Sequence, residues 1–208
     1  MHRRLVALVL AVLLVAALGA CGSGGGSSSD GAADGAGPLT GATAPPSTLG
    51  GSGPLAAAKV YEGLSQTHVA GAIRYRQTPP VGGDHDQVWQ NCGFYAAAVG
   101  SPNAVHSMEH GAVWITFRPS LPEAQQQVLK DLVVDNPGLL VSPWKDDALP
   151  SPVVLTAWGV QLGVPNATAP AVAAFVKQFQ FGPQTKEQGI PCNGGIGAPE
   201  VQSRAPVG

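Results

Sequence analysis

Charge is scarce in this chain: Asp, Glu, Lys and Arg make up 12% of its 208 residues, with 11 basic side chains against 13 acidic ones. The formal net charge is −2, and loss of Arg3 and Arg4 with the leader described below would make it −4. A basic patch for nucleic acid or an anionic membrane surface is thereby excluded. Cysteine is scarcer still, at three residues, and aromatics reach only 6%. Even so, 44% of the residues are hydrophobic and four are Trp, enough to bury a core, which excludes a wholly disordered chain. With the leader and a spacer set aside, roughly 140 residues remain, one domain of ordinary size rather than two large ones.

The first twenty residues read as a secretory signal peptide. His2, Arg3 and Arg4 give a positive start, and Leu5 to Ala20 is an unbroken run of apolar and small residues, short for a membrane span. Leu18-Gly19-Ala20-Cys21 looks like a bacterial lipobox, in which cleavage leaves Cys21 as a lipid-modified N-terminus. Acyl chains contribute about 0.8 kcal/mol per buried methylene, so two or three of them hold a protein durably on a membrane. The expected location is the extracytoplasmic face of the cell membrane. Residues 21–58 are expected to be the lipidated Cys and a flexible linker, because 32 of the 37 residues from Gly22 to Ala58 are Gly, Ser, Ala, Pro or Thr. Such a composition buries too little apolar area to offset its ordering entropy. The globular domain is then expected over 59–196, with a tail over 197–208.

With Cys21 assigned to the anchor, Cys92 and Cys192 remain. Compartment and parity favour a disulfide, which would pin the Gly/Pro-rich tail onto the domain. The alternative makes Cys92 a thiolate metal ligand, since it sits among the histidines.

Ala112 to Arg118 is a β-branched and aromatic run that predicts a strand. Ser120 and Glu123 have the spacing of a capping box, and Leu121, Ala124, Val128, Leu129 and Leu132 recur at helical intervals up to Asn136-Pro137-Gly138. Leu139–Ser142 and Val153–Trp158 read as buried strands, with a turn at Gly159 into Val160–Val164. Thr168 and Pro170 open a second helix that turns Val172, Phe175, Val176 and Phe179 to the core. The expected fold is α+β (or α/β): a single small domain with helices packed on a mixed β-sheet and an irregular, His-containing N-terminal segment. In that segment Val69 to Arg76 is a candidate strand, and Thr78 to Asp84 is an irregular loop of the kind that carries binding residues. Asn166-Ala167-Thr168 fits a glycosylation sequon, read as coincidence in a bacterial lipoprotein.

His68, His85, His106 and His110 fall within 43 residues, and no histidine follows them. Several imidazoles near a carboxylate can hold a transition metal without any thiolate. His106-Ser107-Met108-Glu109-His110 reads in two ways. On a helix, His106, Glu109 and His110 share a face, the spacing of inverted zinc peptidases with Glu as general base. On a strand, His106, Met108 and His110 share a face and offer donors suited to copper. Pro102 upstream and Gly111 immediately after favour the strand, and Met108 is read as packing. A buried histidine taken alone is more often a hydrogen-bonded core residue than a ligand. Glu109 serves as ligand, as orienting partner or as a solvated charge.

These residues resemble domain-of-unknown-function family 3105, found in bacterial lipoproteins and membrane-anchored proteins. The resemblance runs from about His68 to Cys192. It is carried by Thr67-His68-Val69, Pro79-Pro80, the Gly83 to His85 loop, Asn91-Cys92-Gly93 with Tyr95, Val105 to Gly111, Ala157-Trp158-Gly159, and Gly182-Pro183-Gln184. It implies histidines at 68, 85, 106 and 110, a glutamate at 109, and two cysteines that occur together, in agreement with the disulfide. The family usually has Leu at the position of Met108.

The functional expectation is one transition metal, copper or zinc, bound through His85, His106 and His110, with His68 and Glu109 completing or orienting the shell. No catalytic residue is assigned. Partners are expected to be the membrane, through the lipid anchor, and an envelope protein. Two other readings stand beside it: an envelope interaction module without metal, and a metal-dependent hydrolase with Glu109 as base.

Overall fold

The computed structural model of the chain describes residues 37–204. The expected leader and Cys21 lie outside the described residues. Among those described, no helix is long and apolar enough to cross a membrane.

Short N-terminal strands come first: β1 (Leu39–Thr40), β2 (Ser47–Thr48), β3 (Lys59–Val60), β4 (Arg74–Tyr75) and β5 (Gly93–Phe94). Helix α1 (Ser101–Glu109) leads into β6 (Val113–Phe117), α2 (Glu123–Val134), β7 (Leu139–Pro143), β8 (Val153–Ala157), β9 (Val160–Val164) and α3 (Pro170–Phe179). Seven strands form one mixed sheet in the order β2-β3-β9-β8-β6-β7-β5, and β1 pairs with β4 in a separate ribbon. β6 runs parallel to β7 and antiparallel to β8, so the sheet changes character at its centre. The α+β expectation holds: three helices pack on a mixed sheet.

Every residue of β6, β7 and β8 is buried, as happens when a sheet is covered on both faces. Because side chains alternate along a strand, Val113, Ile115 and Phe117 enter one core with Leu129 of α2 and Phe175 of α3. Trp114 and Leu140 point the other way, into a second core with Ala104, Val105 and Met108 of α1. That second face carries the histidines.

Several expectations need correction. Residues 39–58 are part of the fold rather than flexible spacer: β1 pairs with β4, β2 with β3, and β3 with β9, and Leu55 and Ala58 are buried. A composition argument weighs side chains, whereas strand addition to an open edge uses backbone groups that Gly and Ser also possess. The segment 197–204 is likewise tied down, with Phe94 donating to the Val201 carbonyl (2.8 Å) and Arg204 N–H to that of Val134 (2.9 Å). The capping box does not form, because the Ser120 hydroxyl donates to Asp147 (2.7 Å) and Pro122 occupies the cap position of α2. On α2 the core-facing residues are Leu129 and Val133, while Val128 is exposed. The Thr168 hydroxyl is engaged with Asn166, and Ala169 precedes α3. Of the candidate strand Val69–Arg76, only Arg74–Tyr75 pairs.

A candidate metal centre on the second face of the sheet

Residues 106–109 are helical and His110 caps the helix, which overturns the preference for a strand. Pro102 lies in the first turn of α1, where a missing N–H costs nothing and the fixed φ suits the helix. Gly111, at φ 104°, then turns the chain directly into β6, and a Cβ there would sit 2.8 Å from the Thr185 hydroxyl. Nine residues make a marginal helix on their own. Tertiary bonds hold this one: the Ser107 hydroxyl donates to the Gln90 carbonyl (2.6 Å) and the Asn103 amide to that of Val88 (2.6 Å). Met108 is fully buried against the sheet and serves packing, as expected. His106, Glu109 and His110 look the other way, at the i, i+3, i+4 spacing of one helix face.

Opposite that face, two loops are stitched together at His68 and His85. The Val69 N–H donates to the His85 carbonyl (2.8 Å), and the His85 N–H to that of Thr67 (3.0 Å). The supposed spacer contributes here as well, since the Asp84 N–H donates to the Thr40 hydroxyl oxygen (3.0 Å). Gly83 fits beneath it at φ 118°, where a Cβ would lie 2.7 Å from that oxygen.

The result is a cluster. The rings of His68, His85 and His106 are mutually 4.8–4.9 Å apart between centroids. One donor atom from each, and one from Glu109, all lie within 4.8 Å of one another. His85, His106 and Glu109 are buried, whereas the His68 side chain is 39% exposed. Side-chain orientation is set from behind: Nδ1–H of His85 donates to the Gly83 carbonyl (2.8 Å) and that of His106 to the Asp86 carbonyl (2.7 Å). Carbonyl oxygens only accept, so each neutral ring keeps its Nε2 lone pair for the cluster. Metal-ligating histidines are oriented in this way.

His85 Nε2 lies 2.7 Å from Glu109 Oε2 and His68 Nε2 3.9 Å from it, yet the buried His85 nitrogen makes no aligned hydrogen bond among the described residues. A lone pair and a carboxylate this close repel unless a proton or metal cation lies between them. Burial pushes the His85 pKa down, but the Glu109 carboxylate and the Gly83 carbonyl outweigh it and the net shift is upward. His106 moves the opposite way. Its pKa is lowered to about 4: burial is the main cause, the Asp86 carbonyl opposes it, and the neighbouring histidines add to the lowering. It is therefore neutral, with a free lone pair, at pH 7.

That shift predicts acid sensitivity of the metal-free protein. The folded His106 pKa lies below the unfolded value of 6.5, so its contribution to stability is complete above pH 6.5 and is lost as pH falls toward 4. His110, lowered chiefly by burial, acts in the same direction, and His85 in the opposite one. Thermal melts in chelator should show the midpoint falling between pH 6.5 and 4.5, with a shallower decline in His106→Gln.

The expected single site is resolved differently. His110 is not part of the four-residue cluster. It groups with His106 and Glu187, again with one donor atom each within 4.8 Å. Its Nε2 lies 3.2 Å from Glu187 Oε2, and its Nδ1 is buried without a hydrogen bond among the described residues. Glu187 was missed because it stands in the Gly/Pro-rich tail, far along the chain from the histidines. Its backbone N–H and that of Lys186 donate to the Glu109 carbonyl at the end of α1 (3.0 and 3.1 Å). The available signal was the cysteine pairing, which brings that tail back. Cys92 and Cys192 lie at disulfide distance, with Cα atoms 5.4 Å apart, so Cys92 is no thiolate ligand. Trp89, near Cys92, sets its ring edge-to-face against His106 (5.6 Å) and His110 (4.8 Å).

Among family models, the one described as protein of unknown function (DUF3105) matches residues 68–194, which contain every residue of both clusters and both cysteines. No curated protein and no solved structure matches the chain.

Proposed function

The chain belongs to the DUF3105 family, whose description assigns no activity, and we propose from the site geometry that its domain binds a single transition-metal ion, copper or zinc. The observation that carries this reading is the convergence of His68, His85, His106 and Glu109, two of whose rings are pinned through Nδ1 so that Nε2 is left for the ion. Three imidazoles and a carboxylate suit zinc or copper rather than calcium or magnesium, which prefer all-oxygen shells. Tetrahedral ligands 2.0–2.1 Å from zinc are about 3.4 Å apart, so small side-chain rotations bring these donors onto one ion. The leader and the lipobox-like residues before Cys21 support a lipid-anchored protein on the extracytoplasmic face, handling metal at the membrane.

A hydrolytic role has one feature in its favour, the helical H-x-x-E-H face. Glu109, however, is buried against His85 at 2.7 Å, a ligand position rather than that of a base facing a substrate's water. Ion binding therefore stands first.

The test is direct. Purified protein, stripped with chelator and dialysed against zinc or copper, should retain one equivalent by elemental analysis and release it in acid as the ligands protonate. If it retains none under either metal, the function proposed here falls.

A further inference from the structure

The two donor groups share His106, and that ring has only one nitrogen to give. Its Nδ1 is engaged by the Asp86 carbonyl at 2.7 Å, so an ion bound with His68, His85 and Glu109 and an ion bound with His110 and Glu187 would both require the same Nε2 lone pair. Full occupation of one group excludes full occupation of the other.

We propose that His106, His110 and Glu187 form a second metal station, and that a single ion is exchanged between it and the first through the shared His106. This deepens, and rests on, the ion-binding function proposed above. The His110–Glu187 pair has the spacing of adjacent ligands: Nε2 and Oε2 are 3.2 Å apart, against about 3.4 Å for two ligands on one tetrahedral zinc. His110 is 2% exposed and its Nδ1 has no partner among the described residues, so this is a buried nitrogen-donor residue rather than a surface ion pair.

Each station opens to solvent at a different residue. The first is exposed through His68, at 39%, and the second through Glu187, at 48%. Between them, His106 is buried and flanked by the Trp89 ring, which also contacts His110. An ion can enter through one exposed ligand and leave through the other while never losing its bond to His106. This is the ligand-exchange arrangement of a protein that passes metal on.

The experiment is a zinc titration of the full chain in competition with a colorimetric chelator. Wild-type protein should bind one equivalent. His68→Ala weakens the first station at its exposed ligand and shifts the ion toward the second. In that background, adding Glu187→Ala should lower zinc affinity at least tenfold, because the second station then loses its carboxylate. A drop of less than threefold overturns the proposal, since an ion held by His85, His106 and Glu109 has no bond to Glu187. Uptake of two equivalents by wild type overturns it as well, because the stations would then be independent. Both substituted side chains are substantially exposed, so the variants should fold, which thermal melts of the metal-free proteins check. Wild-type protein that binds no zinc or copper at all removes the primary function instead, a result distinguishable from either of these.

Discussion

Replacing His106 by alanine is expected to abolish metal retention, with an affinity loss on the order of 100-fold or more, the largest effect of any single ligand. Among the described residues His106 alone belongs to both donor groups, so its loss weakens both at once. His68→Ala, by contrast, removes an exposed ligand from one group only and should cost about tenfold. The comparison separates ligation from simple damage to the fold. His106→Ala also leaves the Asp86 carbonyl without its donor, a cost of about 1–3 kcal/mol that a thermal melt of the metal-free protein will register. His106→Gln, which retains a donor in that direction, should recover part of the stability and none of the metal affinity. If His106→Ala protein, still folded by its melt, retains metal as wild type does, the cluster is a hydrogen-bonded core and not a site.

Reduction of the Cys92–Cys192 bridge is expected to have the largest effect on stability. The bridge closes a loop between residues 100 apart, for which the chain-entropy treatment gives about 4–5 kcal/mol. In a domain of this size that corresponds to a fall of roughly 10–20 °C in Tm. Calorimetry of Cys92→Ser/Cys192→Ser protein measures it. The effect should extend to the metal site, because the tail segment that ends at Cys192 carries Glu187, and the segment leading to Cys92 carries Trp89. The double variant should therefore lose metal affinity even well below its Tm. A variant that melts within a few degrees of wild type would show that hydrogen bonds such as Cys92 N–H to the Cys192 carbonyl (2.7 Å) suffice to hold the tail.

Both predictions turn on residues that are distant in sequence, and this divides what could be read from the chain from what could not. From residue 112 onward the strands and helices, though not their predicted caps, followed local rules. A β-branched run became β6, the helical spacing of Val172, Phe175, Val176 and Phe179 buried those residues on α3, and Gly159 made its turn at φ 71°. Upstream, local rules misled. The apolar spacing around 106–110 was too short to choose between helix and strand, and α1 exists because Gln90 and Val88 accept bonds from it across a loop. Within the low-complexity residues 39–58, β1 paired with β4 and β2 extended the sheet through β3, because strand pairing uses backbone groups that every residue has.

The sequence by itself determined most of the inventory of the site: four histidines and Glu109 in one stretch and two cysteines able to pair, but not Glu187. Only the tertiary structure decided how they are partitioned. It put His68, His85, His106 and Glu109 together, turned His110 toward a carboxylate 77 positions further along, and left His106 a single nitrogen to serve both. Donor chemistry is a property of each side chain and is legible one residue at a time. Convergence depends on where the backbone carries each ring and which carbonyl holds its other nitrogen, and those are set by packing between segments that no local pattern connects.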